Sequence, residues 1–155
     1  MNTVYLFDWG DTLMVDFPDR DGKMCEWEEV ATVDGAREVL RTLSASTAIY
    51  VATGAAQSDV VDIECAFRRV ELDRFITGYF CRANTGAAKG TGAFLPNILA
   101  MLGRRPDEVT AVGDSWKKDI EPALAVGMPS IWLTRSGETN APNVRVIRSL
   151  SELRV

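Results

Sequence analysis

Short continuous apolar runs alternate along this chain with stretches in which apolar residues recur every three or four positions. Residues 4–7, 48–52 and 109–112 are runs of the first kind, the pattern of strands buried on both faces. Residues 129–133 and 144–147 add a fifth and a sixth strand, and residues 75–81 a weaker third one interrupted by Gly78. Helical spacing joins Ala36, Val39, Leu40 and Leu43, and then Val60, Ile63, Phe67 and Val70. It returns at Phe94, Ile98, Leu99 and Leu102, and at Ile120, Ala123 and Leu124. Asp34 is expected to cap the first helix and Gly103 to close the third. Ser149 with Glu152 forms a capping box for a brief terminal helix. Pro96 fits its helix only if that helix begins near Phe94, and Pro122 is tolerable in the first turns of the next. Strands alternating with amphipathic helices predict an α/β fold, a Rossmann-like parallel sheet with helices on both faces.

Two stretches lack either period. Residues 14–32 place Asp16, Asp19, Asp21, Lys23, Glu26 and Glu28 around Met24, Trp27 and Val30, too little for a separate core. They are expected to form a small flap or a hairpin turning at Asp21-Gly22. Residues 136–143 read as a loose loop. With 155 residues, 46% hydrophobic and 25% charged, the chain suits a single domain spanning 1–155, the flap at 14–32 included.

Composition narrows the chemistry. A net charge of -5 disfavours nucleic acid and membrane surfaces as partners and points to a small ligand. There is no apolar run long enough for a membrane span, and the chain starts on a strand, so a cytoplasmic location is expected. Cys25, Cys65 and Cys81 are odd in number and widely spaced, which suits reduced packing residues. Histidine is absent, so imidazole bases, triads and metal ligands are excluded. Carboxylates, hydroxyls and lysine remain.

Those groups recur at strand ends. Asp8 follows the first strand, Thr53-Gly54 the second, Lys89 lies in the loop after the third, and Gly113-Asp114 ends the fourth with Asp119 shortly beyond. In a parallel sheet these ends share one edge, where ligands bind. The ordered set Asp8-Trp9-Gly10-Asp11-Thr12, Thr53-Gly54, Lys89 and Gly113-Asp114-Ser115-x-x-x-Asp119 resembles the haloacid dehalogenase superfamily of hydrolases and phosphatases. The resemblance runs from Val4 to about Leu133 and implies a minimal-cap phosphatase. On that pattern Asp8 is the nucleophile that forms an aspartyl-phosphate, and Asp8, Asp114 and the Gly10 carbonyl hold magnesium, with Asp119 either ligating it or standing just behind its ligands. Thr53, Gly54 and Lys89 then bind the phosphoryl group. Charge bookkeeping agrees: three carboxylates and a phosphate dianion meet one lysine, a deficit that a hard divalent cation would offset.

The chain departs from that pattern at Gly10, where phosphatases of this superfamily carry the aspartate that protonates the leaving group. Asp11 stands one residue late. Loss of a general acid/base costs ~10²–10⁴-fold, so slow hydrolysis favouring good leaving groups is expected. Two other readings use the same residues: a phosphate- or metal-binding protein without turnover, and a dehalogenase- or phosphonatase-type hydrolase. The small flap would also admit bulky phosphorylated substrates.

Overall fold

The computed structural model describes residues 3–55, 57–135 and 144–153. The strands are β1 (Val4–Asp8), β2 (Ala48–Ala52), β3 (Gly78–Phe80), β4 (Val109–Gly113), β5 (Ser130–Leu133) and β6 (Arg145–Ile147). They form one parallel sheet in the order β3-β2-β1-β4-β5-β6. The chain steps outward from β1 to β3, then crosses to β4 on the other side of β1. Strand order therefore reverses between β1 and β4, the position at which α/β sheets open a crevice for ligand.

The helices are α1 (Ala36–Ser44), α2 (Val60–Arg69), α3 (Arg82–Thr85), α4 (Phe94–Leu102) and α5 (Glu121–Ala125). One face of the sheet buries Phe7, Ile49, Val51 and Val112 against α1, α2 and Trp9. The other buries Leu6, Ala52 and Ala111 against Phe94, Ile98 and Ala123 of α4 and α5. Each central strand thus feeds alternate residues to two cores, which is why its sequence is apolar throughout rather than alternating. α4 does begin at Phe94, so Pro96 falls in its first turn, where a backbone N–H has no helical partner to lose. Gly103 closes it in the left-handed conformation (φ 65°), and Ser149 and Glu152 make their capping box on a single 3-10 turn, Leu150–Glu152.

Several local expectations are corrected. Asp34 does not cap α1; Gly35 occupies that position with φ 85° and no side-chain cap. A Cβ on Gly35 would lie 3.2 Å from the Ser151 amide nitrogen, so packing against the C-terminal turn fixes the helix start. The third strand is shorter than residues 75–81, because Asp73–Phe75 forms a 3-10 turn and Gly78 begins the strand. Gly78 is small because the Tyr50 ring of the neighbouring strand lies 3.0 Å from where its Cβ would be. Residues 14–32 form no two-stranded hairpin. A lone bridge joins Met14 to Thr32, the Val15 amide donates to Ala31 O at 2.8 Å, and a 3-10 turn spans Met24–Glu26. Trp27 fastens this segment by packing on Phe17 and donating to Asp21 O at 2.9 Å. The 136–143 stretch lies outside the described residues. No helix of the described residues is long and apolar enough to cross a membrane.

Candidate active site

β1 ends at Asp8, and the chain then wraps tightly around one carbonyl: the amides of Leu13 and Met14 both donate to Trp9 O, at 3.0 and 3.2 Å. That turn drives Thr12, which is fully buried, back under Asp8. Its hydroxyl lies 3.1 Å from Asp8 Oδ2 and 3.2 Å from Asp114 Oδ1, and so ties the ends of β1 and β4 together. Lys89 arrives from the loop before α4 with only 8% of its side chain exposed. Its three N–H donors are all used: Asp8 Oδ1 at 2.5 Å, Asp119 Oδ1 at 2.6 Å and Ala52 O at 3.1 Å.

Asp114 and Asp119 are held by contacts to β5 and to the chain just beyond β4. Trp132 Nε1 donates to Asp114 O at 3.1 Å, and the Ser115 amide to Asp119 Oδ2 at 3.0 Å. The segment Trp116–Ile120 is a wide π-type turn. Pro122, just inside α5, has no N–H to continue a regular helix, and widened turns of this kind are frequent at functional sites. Asp119 closes back over Gly113 so tightly that no Cβ could be accommodated there. One oxygen from each of Asp8, Asp114 and Asp119 lies within 4.8 Å of the others.

A single ammonium does not balance three clustered carboxylates. Burial, together with hydrogen bonding to Asp8 and the Asp8 and Asp119 charges, pushes Asp114 up to about 7. Burial and the Asp8 charge also raise Asp119, against the pull of Lys89. Burial alone would lower the Lys89 pKa, but the Asp8 and Asp119 charges outweigh it and the ammonium is held above its ordinary value. The cluster forms the floor of a cleft of about 450 Å³, whose walls include Gly10, Asp16, Thr53, Gly54 and Lys118.

A sequence model of the haloacid dehalogenase-like hydrolases matches residues 4–127. The chain belongs to that family. Among curated protein sequences, none matches the chain. Solved structures share the fold of this haloacid dehalogenase-like hydrolase over nearly its whole length. An uncharacterized protein from Listeria monocytogenes serotype 4b is 20% identical with a TM-score of 0.84, the match covering 97% of this chain and 94% of that one. A HAD phosphatase from Thermococcus onnurineus is 18% identical, TM-score 0.79, covering 98% and 95%. YfnB from Bacillus subtilis, in a crystal structure bound to magnesium, is 15% identical, TM-score 0.76, covering 97% and 96%.

The sequence motifs of this haloacid dehalogenase-like hydrolase meet in space. Asp8, Lys89, Asp114 and Asp119 form one hydrogen-bonded and ion-paired cluster, and Thr53, Gly54 and Gly10 line the cleft above it. Thr53 Oγ1 also accepts from the Ala55 amide at 3.0 Å, which orients the hydroxyl and leaves its proton for another acceptor. Asp11 turns away. Its backbone is left-handed (φ 60°) and its carboxylate accepts the Asp16 amide at 3.0 Å. Sequence reasoning missed three residues. Thr12 was visible as part of the first motif, but its bridging position was not. Asp16 and Lys118 sat in polar stretches with no pattern to set them apart, and only the loop geometry brings them to the cleft.

Proposed function

We propose that this chain is a magnesium-dependent phosphoester hydrolase working through an aspartyl-phosphate on Asp8. The carrying observation is the triad of carboxylates within 4.8 Å of one another, joined to a buried lysine at the floor of an open cleft. An all-oxygen donor set with an unbalanced negative charge suits a hard divalent ion. Asp8, Asp114, Asp119 and the Gly10 carbonyl would hold it, and a cation there would offset charge on the phosphoryl oxygens.

The remaining steps belong to the chain's own residues. Lys89 and Thr12 restrain one Asp8 oxygen each, which fixes the direction of the carboxylate for in-line attack on phosphorus. Thr53 Oγ1 and the Gly54 amide stand at the cleft wall to donate to phosphoryl oxygens, and Lys89 supplies the fixed positive charge beneath them. A Cβ on Gly54 would press on Lys89, 3.3 Å from its Cβ. The cleft is large enough for a small phosphorylated compound and open enough for a bulkier one.

The test is hydrolysis of p-nitrophenyl phosphate with and without magnesium. Activity should require the cation and disappear in Asp8→Asn. Tight magnesium or phosphate binding without turnover would favour the binding-protein reading, and halide release from a haloacid the dehalogenase reading.

A further inference from the structure

We propose that Asp16, reaching back from the 14–32 insert, is the catalytic acid/base that residue 10 does not supply. This rests on the phosphoester-hydrolase reading of the same site. A Cβ built on Gly10 would lie 3.3 Å from Asp16 Cβ and 3.4 Å from Asp16 Oδ2. A side chain at position 10 would therefore grow toward the Asp16 carboxyl group, which stands where an acid at that position would reach. Asp16 lines the same cleft as Asp8, Asp114 and Lys118.

The loop is built to deliver it. The left-handed backbone at Asp11 reverses the chain, the Asp11 carboxylate accepts the Asp16 amide, and the bridges from Met14 to Gly10 and to Thr32 hold the return path. Asp11, the acid nearest the usual position in sequence, is thus spent on placing Asp16. Among the described residues the exposed Asp16 carboxylate has no hydrogen-bond or ion-pair partner, so both of its oxygens stand open to exchange a proton at the cleft.

The chemistry closes on itself. As Asp8 attacks phosphorus and the bond to the ester oxygen breaks, that oxygen keeps the electron pair and takes the proton of the Asp16 carboxylic acid. In the second half the Asp16 carboxylate accepts a proton from the attacking water. The new P–O bond then displaces the Asp8 carboxylate with its electron pair, and both groups return to their starting states.

The experiment compares the full chain with Asp16→Asn, with Asp8→Asn and with the exchange Gly10→Asp/Asp16→Gly, on p-nitrophenyl phosphate and ethyl phosphate. Asp16 is solvent-exposed, so Asp16→Asn should keep the wild-type Tm. Its kcat/KM should fall by ~10² or more on the alkyl ester and less than about tenfold on the aryl ester, whose leaving group needs no proton. Phosphorylated Asp8 should accumulate in that variant during aryl ester turnover and be detectable by intact-protein mass, because its hydrolysis lacks a base. The exchange should restore the alkyl ester activity. Equal losses on both esters, or none, would overturn the assignment while leaving the phosphoesterase standing. An active Asp8→Asn would remove the ground for both.

Discussion

At the scale of single residues, the site depends on close approach as much as on charge. Gly113 is the sharpest case, since the Asp119 side chain fills the space its Cβ would need. Gly113→Ala should cost about 1–3 kcal/mol in urea denaturation and weaken magnesium binding by displacing Asp119 from Lys89. Asp8 and Asp114 could be found from sequence because each directly ends an apolar run that defines a strand, whereas Lys89, beyond β3 with α3 between, and Asp119 stood out only as members of the ordered motif set. Thr12 and Asp16 could not be assigned roles that way. Their positions come from a tight turn around Trp9 O and a left-handed residue at Asp11, neither of which leaves a periodic trace. Asp34 misled for a related reason: the true helix start is set by contact with Leu150 and Ser151, more than a hundred residues away in the chain.

At the scale of elements, the 14–32 insert has little regular structure of its own and is held by α2. Arg69 donates to the carbonyls of Cys25, Trp27 and Glu28, and Lys23 pairs with Asp62 at 2.9 Å. Hydrogen bonding to Lys23 and to the Asp59 amide lowers the Asp62 pKa, and hydrogen bonding to Asp62 raises that of Lys23. A lowered carboxyl pKa contributes stability that is present above the unfolded value, near 3.8, and lost as pH falls through the folded one. The raised Lys23 pKa contributes below its unfolded value, near 10.5, and is lost only above it. The anchor should therefore hold across the neutral range. Asp62→Asn keeps an oxygen for the helix cap and deletes the charge. It should speed amide exchange in residues 23–28 at pH 7, with the difference from wild type vanishing as pH falls through the lowered Asp62 value. Strands and helices were legible because burial imposes a period. The insert was not, because its order comes from carbonyls gripped by a guanidinium, which any sequence can offer.

At the scale of the whole molecule, the order of the strands brings the ends of β1 and β4 together at the reversal point, where Asp8 and Asp114 share Thr12. The fold gathers three carboxylates there around one ammonium, and burial first, then Asp8 and Asp119, push the Asp114 pKa up. A bound cation should thus stabilise the entire domain. The proposed magnesium, at about 100 times its dissociation constant, would add about 2.7 kcal/mol. This corresponds to a rise in Tm of roughly 5–11 °C for a chain of this size, and Asp114→Asn should lose most of it in a thermal melt.

Lys89 grips Asp8 on one strand and the carbonyl of Ala52 on the next, and those two residues face each other directly across the β1 and β2 ladder. Sliding either strand by one place would pull the two grips apart and turn a buried apolar row toward the wrong layer. The same ammonium that steadies Asp8 is in this way a gauge of alignment. A molecule assembled out of step would be inert as well as unstable, so correct folding and chemical competence arrive together.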